Sequence, residues 1–70
     1  MPTNQKYSQR VHSIRQLKSA NDRIREAQVL LCCVGGRYEA AIPQVSLGCE
    51  KLNEMLVMAE SMITGIREII

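Results

Sequence analysis

The sequence predicts an all-α protein, an antiparallel two-helix hairpin of coiled-coil type that a partner or a second copy completes. Apolar residues recur at alternating spacings of three and four residues in both halves of the chain. The strongest turn signals, Gly35-Gly36 and Pro43, lie near the middle. With 70 residues, two Tyr and neither Phe nor Trp, the chain predicts one domain, residues 1–70, with a small core.

The first helix is predicted from about residue 5 to residue 34. Its apolar residues occupy heptad positions a and d: Leu17, Ile24 and Leu31 at a, and Ala20, Ala27 and Val34 at d. The segment Ser19–Asp22 is rich in side chains that compete for backbone hydrogen bonds, so a break there stays open. Gly35 is expected to end the helix as its C′ residue.

A turn over residues 35–42 leads to the second helix, predicted from about residue 40 to residue 70. Pro43 suits a first helical turn, because its missing N–H would have no partner there; where the helix starts relative to Pro43 stays open. Position a holds Val45, Leu52, Ala59 and Ile66, and position d holds Gly48, Met55, Met62 and Ile69. The predicted core of the hairpin is therefore Leu17, Ile24, Leu31, Val45, Leu52, Met55, Met62 and Ile66.

Helix 2 carries a further apolar column that one hairpin seam cannot cover. Every e position is apolar, where a soluble two-stranded pair would carry Glu or Lys. The run from Val29 to Val34 also makes the end of helix 1 apolar on every side. The predicted partner-binding residues are Leu30, Cys33, Ile42, Cys49, Leu56, Ile63 and Ile70. The partner is either another protein or a second copy in a four-helix homodimer.

Catalytic and metal chemistry find little support in the sequence. The residues three and four positions after His12 are neither acids nor nucleophiles, so we expect no enzyme activity. The adjacent pair Cys32-Cys33 does not fit the ligand spacing of a zinc site, and we expect no metal and no cofactor. Free thiols, no signal peptide and no apolar run of membrane-spanning length predict a cytoplasmic protein.

Charge divides the chain into a basic and an acidic half. Residues 1–37 carry seven basic and two acidic residues, a net +5, and residues 38–70 carry two basic and five acidic ones, a net −3. Opposite charges modestly favour pairing of the two helices. Nucleic-acid binding is not the leading expectation, because no aromatic side chains interleave with the basic ones. A homodimeric four-helix-bundle regulator that binds RNA and a coiled-coil scaffold subunit remain the alternatives.

The layout resembles one family. Gly35-Gly36 near the midpoint, followed by Tyr38, and the later series Leu52, Ala59, Glu60 and Ile63 are similar to the small co-chaperones of type III secretion needle subunits, the E component of the export apparatus. Pro43 and Gly48 depart from the pattern of that family. The resemblance implies a helical-hairpin protein that pairs with a tetratricopeptide-like chaperone. Together the two chaperones would keep a needle subunit soluble in the bacterial cytoplasm before its transport.

Overall fold

Two antiparallel α-helices make up the protein. The computed structural model describes the backbone of residues 2–70 and the side chains of residues 8–70. Helix α1 spans Pro2–Tyr38 and α2 spans Pro43–Ile69, and no strand occurs in this part of the chain. The two helices pack side by side over their shared length, and the Cα atoms extend over 61 × 16 × 10 Å. The predicted all-α two-helix hairpin is confirmed.

Helix α1 is continuous, and it ends later than the sequence suggested. It runs without a break through Ser19–Asp22, so the side chains there do not interrupt the backbone hydrogen bonding. Gly35 lies inside the helix, and the expectation that it ends α1 is wrong: no glycine in the described backbone has a positive φ. Gly35 is instead buried against α2, where an added Cβ would lie 3.4 Å from Cβ of Cys49.

The connection between the helices is four residues long. The backbone N–H of Ile42 donates to the carbonyl of Tyr38 at 2.9 Å, which closes the turn. Ile42 then caps α2 with an extended backbone and no side-chain hydrogen bond, and Pro43 occupies the first helical turn. Because proline has no N–H to leave unsatisfied, α2 can begin at Pro43 rather than earlier.

The hairpin seam uses a different side of α2 from the predicted one. On α1, the a-position residues Leu17, Ile24 and Leu31 are half-buried as predicted, and so is Val45 at the start of α2. The core prediction for the remaining residues of α2 is wrong, because these four side chains are exposed: Leu52, Met55, Met62 and Ile66. Their place in the seam is taken by the e and b positions, where Cys49 is buried and Asn53, Leu56, Glu60 and Ile63 are half-buried.

The close approach near the turn accounts for this rotation of α2. Gly35 carries no side chain, so Cys49 and Ser46 can pack directly against the backbone of α1. With these residues facing α1, the residues that follow at heptad spacing, Leu56 and Ile63, face α1 as well. The large a and d side chains of α2 from Leu52 onwards are thereby turned away from the seam.

Candidate protein-docking face

One flank of the hairpin seam is polar. The amide Nδ2 of Asn53 donates to Sγ of Cys32 at 3.4 Å, and Nε of Arg25 lies 4.0 Å from Oε1 of Glu60. Arg25 and Cys32 are one heptad apart on α1, as Asn53 and Glu60 are on α2. All four therefore occupy heptad position b, and the two b columns meet along this flank.

The opposite flank is apolar, and helix geometry places it. A residue at position d lies two residues after position b, which is about 160° away round the helix at about 100° per residue. Because the b columns of α1 and α2 face each other, their d columns both lie on the far flank. On α1 this column holds small, half-buried side chains: Ala20, Ala27 and Val34.

On α2 the same flank carries large exposed side chains. We use the name open face for the d column of α1 together with this stripe, whose exposed fractions range from 46% to 86%: Leu52, Met55, Met62, Ile66 and Ile69. Their spacing of three, four and seven residues is typical of a helix side that packs against another helix. Covering each large side chain would contribute about 1.5–3 kcal/mol. A contiguous exposed stripe of this kind marks an interaction site.

The predicted partner-binding residues fall into two groups. Leu30, Ile42, Cys33 and Ile70 are exposed, although they do not form one column. Leu30 lies three residues after Ala27 and so borders the open face. Ile70 lies at the far end of the hairpin, where its carbonyl accepts a hydrogen bond from Nε of Arg10 at 3.0 Å.

The second group was assigned to the wrong side of α2. Cys49 is 8% exposed, and Leu56 and Ile63 are half-buried within the seam. These side chains pack against α1, so they are not free to form a docking surface. The sequence analysis assigned columns a and d of α2 to the seam and column e to a partner. In the structure α1 covers column e, and the large side chains of columns a and d from Leu52 onwards are exposed.

Polar groups inside the seam are incompletely paired. Three side-chain oxygens are shielded from solvent and accept no hydrogen bond from the described residues: Oδ1 of Asn21, Oδ1 of Asn53 and Oε1 of Glu60. A buried acceptor without a donor costs about 1–3 kcal/mol. Oε1 of Glu60 still faces Nε of Arg25 at 4.0 Å, so the two asparagine oxygens are the acceptors that lack a charged or hydrogen-bonded neighbour among the described residues.

No three His, Cys, Asp or Glu side chains between residues 8 and 70 come together in a metal-binding group, and the three cysteines are free thiols. His12 is exposed. Neither helix, as far as it is described, is long and apolar enough to cross a membrane.

Comparison with known proteins adds no family assignment. The chain matches none of the family models, curated proteins or solved structures with which it was compared.

Proposed function

We propose that the protein is a binding module that docks on a helical partner protein through the open face. The observation that carries this proposal is the stripe of large apolar side chains on α2, which α1 leaves exposed along the length of the helix. Stripes with this spacing pack into the groove between two helices of a partner. The methionines of the stripe, Met55 and Met62, have flexible and polarizable side chains that adapt to the shape of such a groove.

The resemblance to type III secretion co-chaperones names a partner of the required kind. A tetratricopeptide-like chaperone is built from helix pairs, and grooves between its helices suit an amphipathic helix such as α2. In this role the hairpin works in the bacterial cytoplasm. It completes a chaperone pair that holds a needle subunit and prevents its premature polymerisation before transport.

Two exposed residues of α2 allow a matched test. Met62 belongs to the open face and is 69% exposed, whereas Val57 is 59% exposed and belongs to neither the open face nor the seam. Both lie well inside α2, so an aspartate has a similar effect on helix stability at either position. The chain is co-expressed with the helical-repeat chaperone and the needle subunit encoded nearest to its gene, and affinity is measured by calorimetry.

We expect Met62→Asp to weaken binding about 100-fold or more, because the new carboxylate would be buried without a partner. Val57→Asp should change the dissociation constant by less than about threefold. Equal binding by the two variants would show that the open face is not the docking site. Failure of the unaltered chain to bind either protein would refute the co-chaperone role.

A further inference from the structure

We infer that, before a partner binds, the open face is covered by a second copy of the same chain. In this four-helix homodimer α2 of each copy lies on α1 of the other, and both turns lie at the same end. The inference rests on the proposed function, since it describes the self-covered state of the same face. The partner would replace one copy, so that dimerisation and partner binding exclude each other.

The register of the hairpin fixes which residues of the open face lie level with one another. Residues in contact across the seam have numbers that add up to between 80 and 85, as Arg25 with Glu60 and Gly35 with Cys49 do. The d-column residues of the two helices therefore form level pairs whose numbers each add up to 82. These pairs are Ser13 with Ile69, Ala20 with Met62, Ala27 with Met55, and Val34 with Gly48.

Each level pair combines a large side chain with a small one. Large residues of α2 lie level with small residues of α1 at three places, and at the fourth Val34 on α1 lies level with Gly48 on α2. Within one hairpin the two members of a pair lie side by side on the open face. A second copy brings them face to face, because a twofold axis parallel to the helices lays α2 over the partner's α1 and keeps every level unchanged. In the d columns large then meets small at every level, as dense packing requires.

The other closed arrangement packs less well. A twofold axis across the helices would lay α2 on α2 and α1 on α1, with the turns at opposite ends. Large side chains such as Met55 and Met62 would then meet other large side chains, and the alanines of α1 would face alanines across a gap. Overfilled and empty regions both destabilise a core.

Charge favours the same arrangement. The described part of α1 from residue 8 to residue 38 carries six basic and two acidic residues, whereas α2 carries two basic and four acidic ones. Placing α2 on the partner's α1 brings opposite net charges together, and placing α1 on α1 brings like charges together. The dimer proposed here is the one that charge and side-chain size both select.

The available area is sufficient for a stable dimer. The 27 residues of α2 give a face about 40 Å long, and two adjacent helices make it about 20 Å wide. A face of about 800 Å² on each copy is the size of a standard protein–protein interface. The second copy would thereby supply the burial that the single seam does not.

Mixing two single variants tests the pairing between copies. Ala27→Met places methionine against Met55 at both contacts of its own homodimer, and Met55→Ala leaves both contacts underfilled. We expect each variant to dimerise at least about tenfold more weakly than the unaltered chain, by sedimentation. A mixture of the two variants can form a heterodimer with two such contacts. In one contact the new methionine at position 27 meets the new alanine at position 55 of the other copy, and in the other contact Met55 meets Ala27 as in the unaltered chain. The heterodimer should therefore form within about threefold of the native affinity.

The position of the turns provides a second measurement. A spin label at Glu39→Cys, in a chain that also carries Cys32→Ser and Cys33→Ser, reports the distance between the two turns. Turns at the same end should give a distance below about 35 Å, since they are separated by only two to three helix diameters. Turns at opposite ends would lie at least about 40 Å apart, since the length of α2 separates them.

Each outcome supports or overturns a defined part of the inference. A chain that remains monomeric at about 100 μM by light scattering overturns the self-covered state, since a standard interface binds far more tightly. A distance of about 40 Å or more, or a mixture with no preference for the heterodimer, overturns the arrangement. A monomer whose partner binding is still lost on Met62→Asp leaves the proposed function intact. A dimer that Met62→Asp disrupts without affecting partner binding refutes the proposed function alone.

Discussion

The two apolar sides of α2 are nearly alike in composition and opposite in environment. Cys49, Leu56 and Ile63 lie against α1, whereas Leu52 and Ile66, on the adjacent side of the helix, are about half exposed. Both sides are built from apolar residues at heptad spacing. The difference shows that apolar periodicity identifies how many helix neighbours α2 requires, and does not identify which neighbour belongs to the same chain.

What distinguishes the two sides is the residues beside them. The seam side of α2 adjoins Asn53 and Glu60, whose side chains reach Cys32 and Arg25 on α1. It also contains Cys49, which fits against the buried Gly35. These contacts are individually modest, with exposed ion pairs contributing about 0–1 kcal/mol. Together they fix the rotation of α2 and leave its other apolar side free for association.

A pair of identical substitutions tests this comparison most strongly. Ile63→Asp places a carboxylate in the seam without a partner, and we expect it to lower the free energy of unfolding by about 3 kcal/mol or more. For a hairpin this small, such a loss abolishes most of the folded population. Ile66→Asp, on the open face, should cost less than about 1 kcal/mol in the monomer. Far-UV circular dichroism during urea unfolding measures both.

The concentration of protein matters in that experiment. Both variants are compared with the unaltered chain at a dilution at which light scattering shows monomers, so that loss of dimer contacts does not contribute. If Ile66→Asp proved the more destabilising of the two, the seam would lie on the side of α2 that the heptad assignment first indicated. The burial of Ile63 against α1 would then be incorrect.

Much of the fold followed from the sequence. The alternating spacing predicted two helices, and the cluster Gly35, Gly36 and Pro43 predicted the place of the connection to within a few residues. On α1 the residues of the predicted a column are half-buried, and that helix has only one continuous apolar side. A single apolar side leaves one way to pack, and the sequence then determines the burial.

The open face could not be assigned in the same way. Helix α2 has apolar residues at a, d and e, and an arc that wide allows more than one rotation against α1. The rotation depends on a backbone contact at Gly35 and on side-chain contacts between residues far apart in sequence, such as Asn53 with Cys32. A periodicity describes each helix separately, so it contains no information about these contacts. The polar b column of α2 was an available signal. Asn53 and Glu60 lie next to position e, and their side chains pair with Cys32 and Arg25 of α1.

A substitution of intermediate effect examines the polar groups within the seam. Asn21 is half-buried, and its Oδ1 accepts no hydrogen bond from the described residues. We expect Asn21→Leu to raise the free energy of unfolding by about 1 kcal/mol, because it removes an unsatisfied acceptor and adds apolar contact. Urea unfolding of the monomer measures the change. Destabilisation by this variant would show that the Asn21 side chain has a donor in solution.

The smallest expected effect separates the two adjacent glycines of α1. Both lie inside the helix, where alanine is favoured over glycine by about 0.5–1 kcal/mol. An added Cβ at Gly36 would meet no atom within 4 Å, so Gly36→Ala should gain most of that amount. At Gly35 the added Cβ would lie 3.4 Å from Cβ of Cys49, at the lower limit of ordinary contact, so Gly35→Ala should gain less. Thermal unfolding of the two variants measures the difference, and a larger gain at Gly35 would contradict the close approach that sets the rotation of α2.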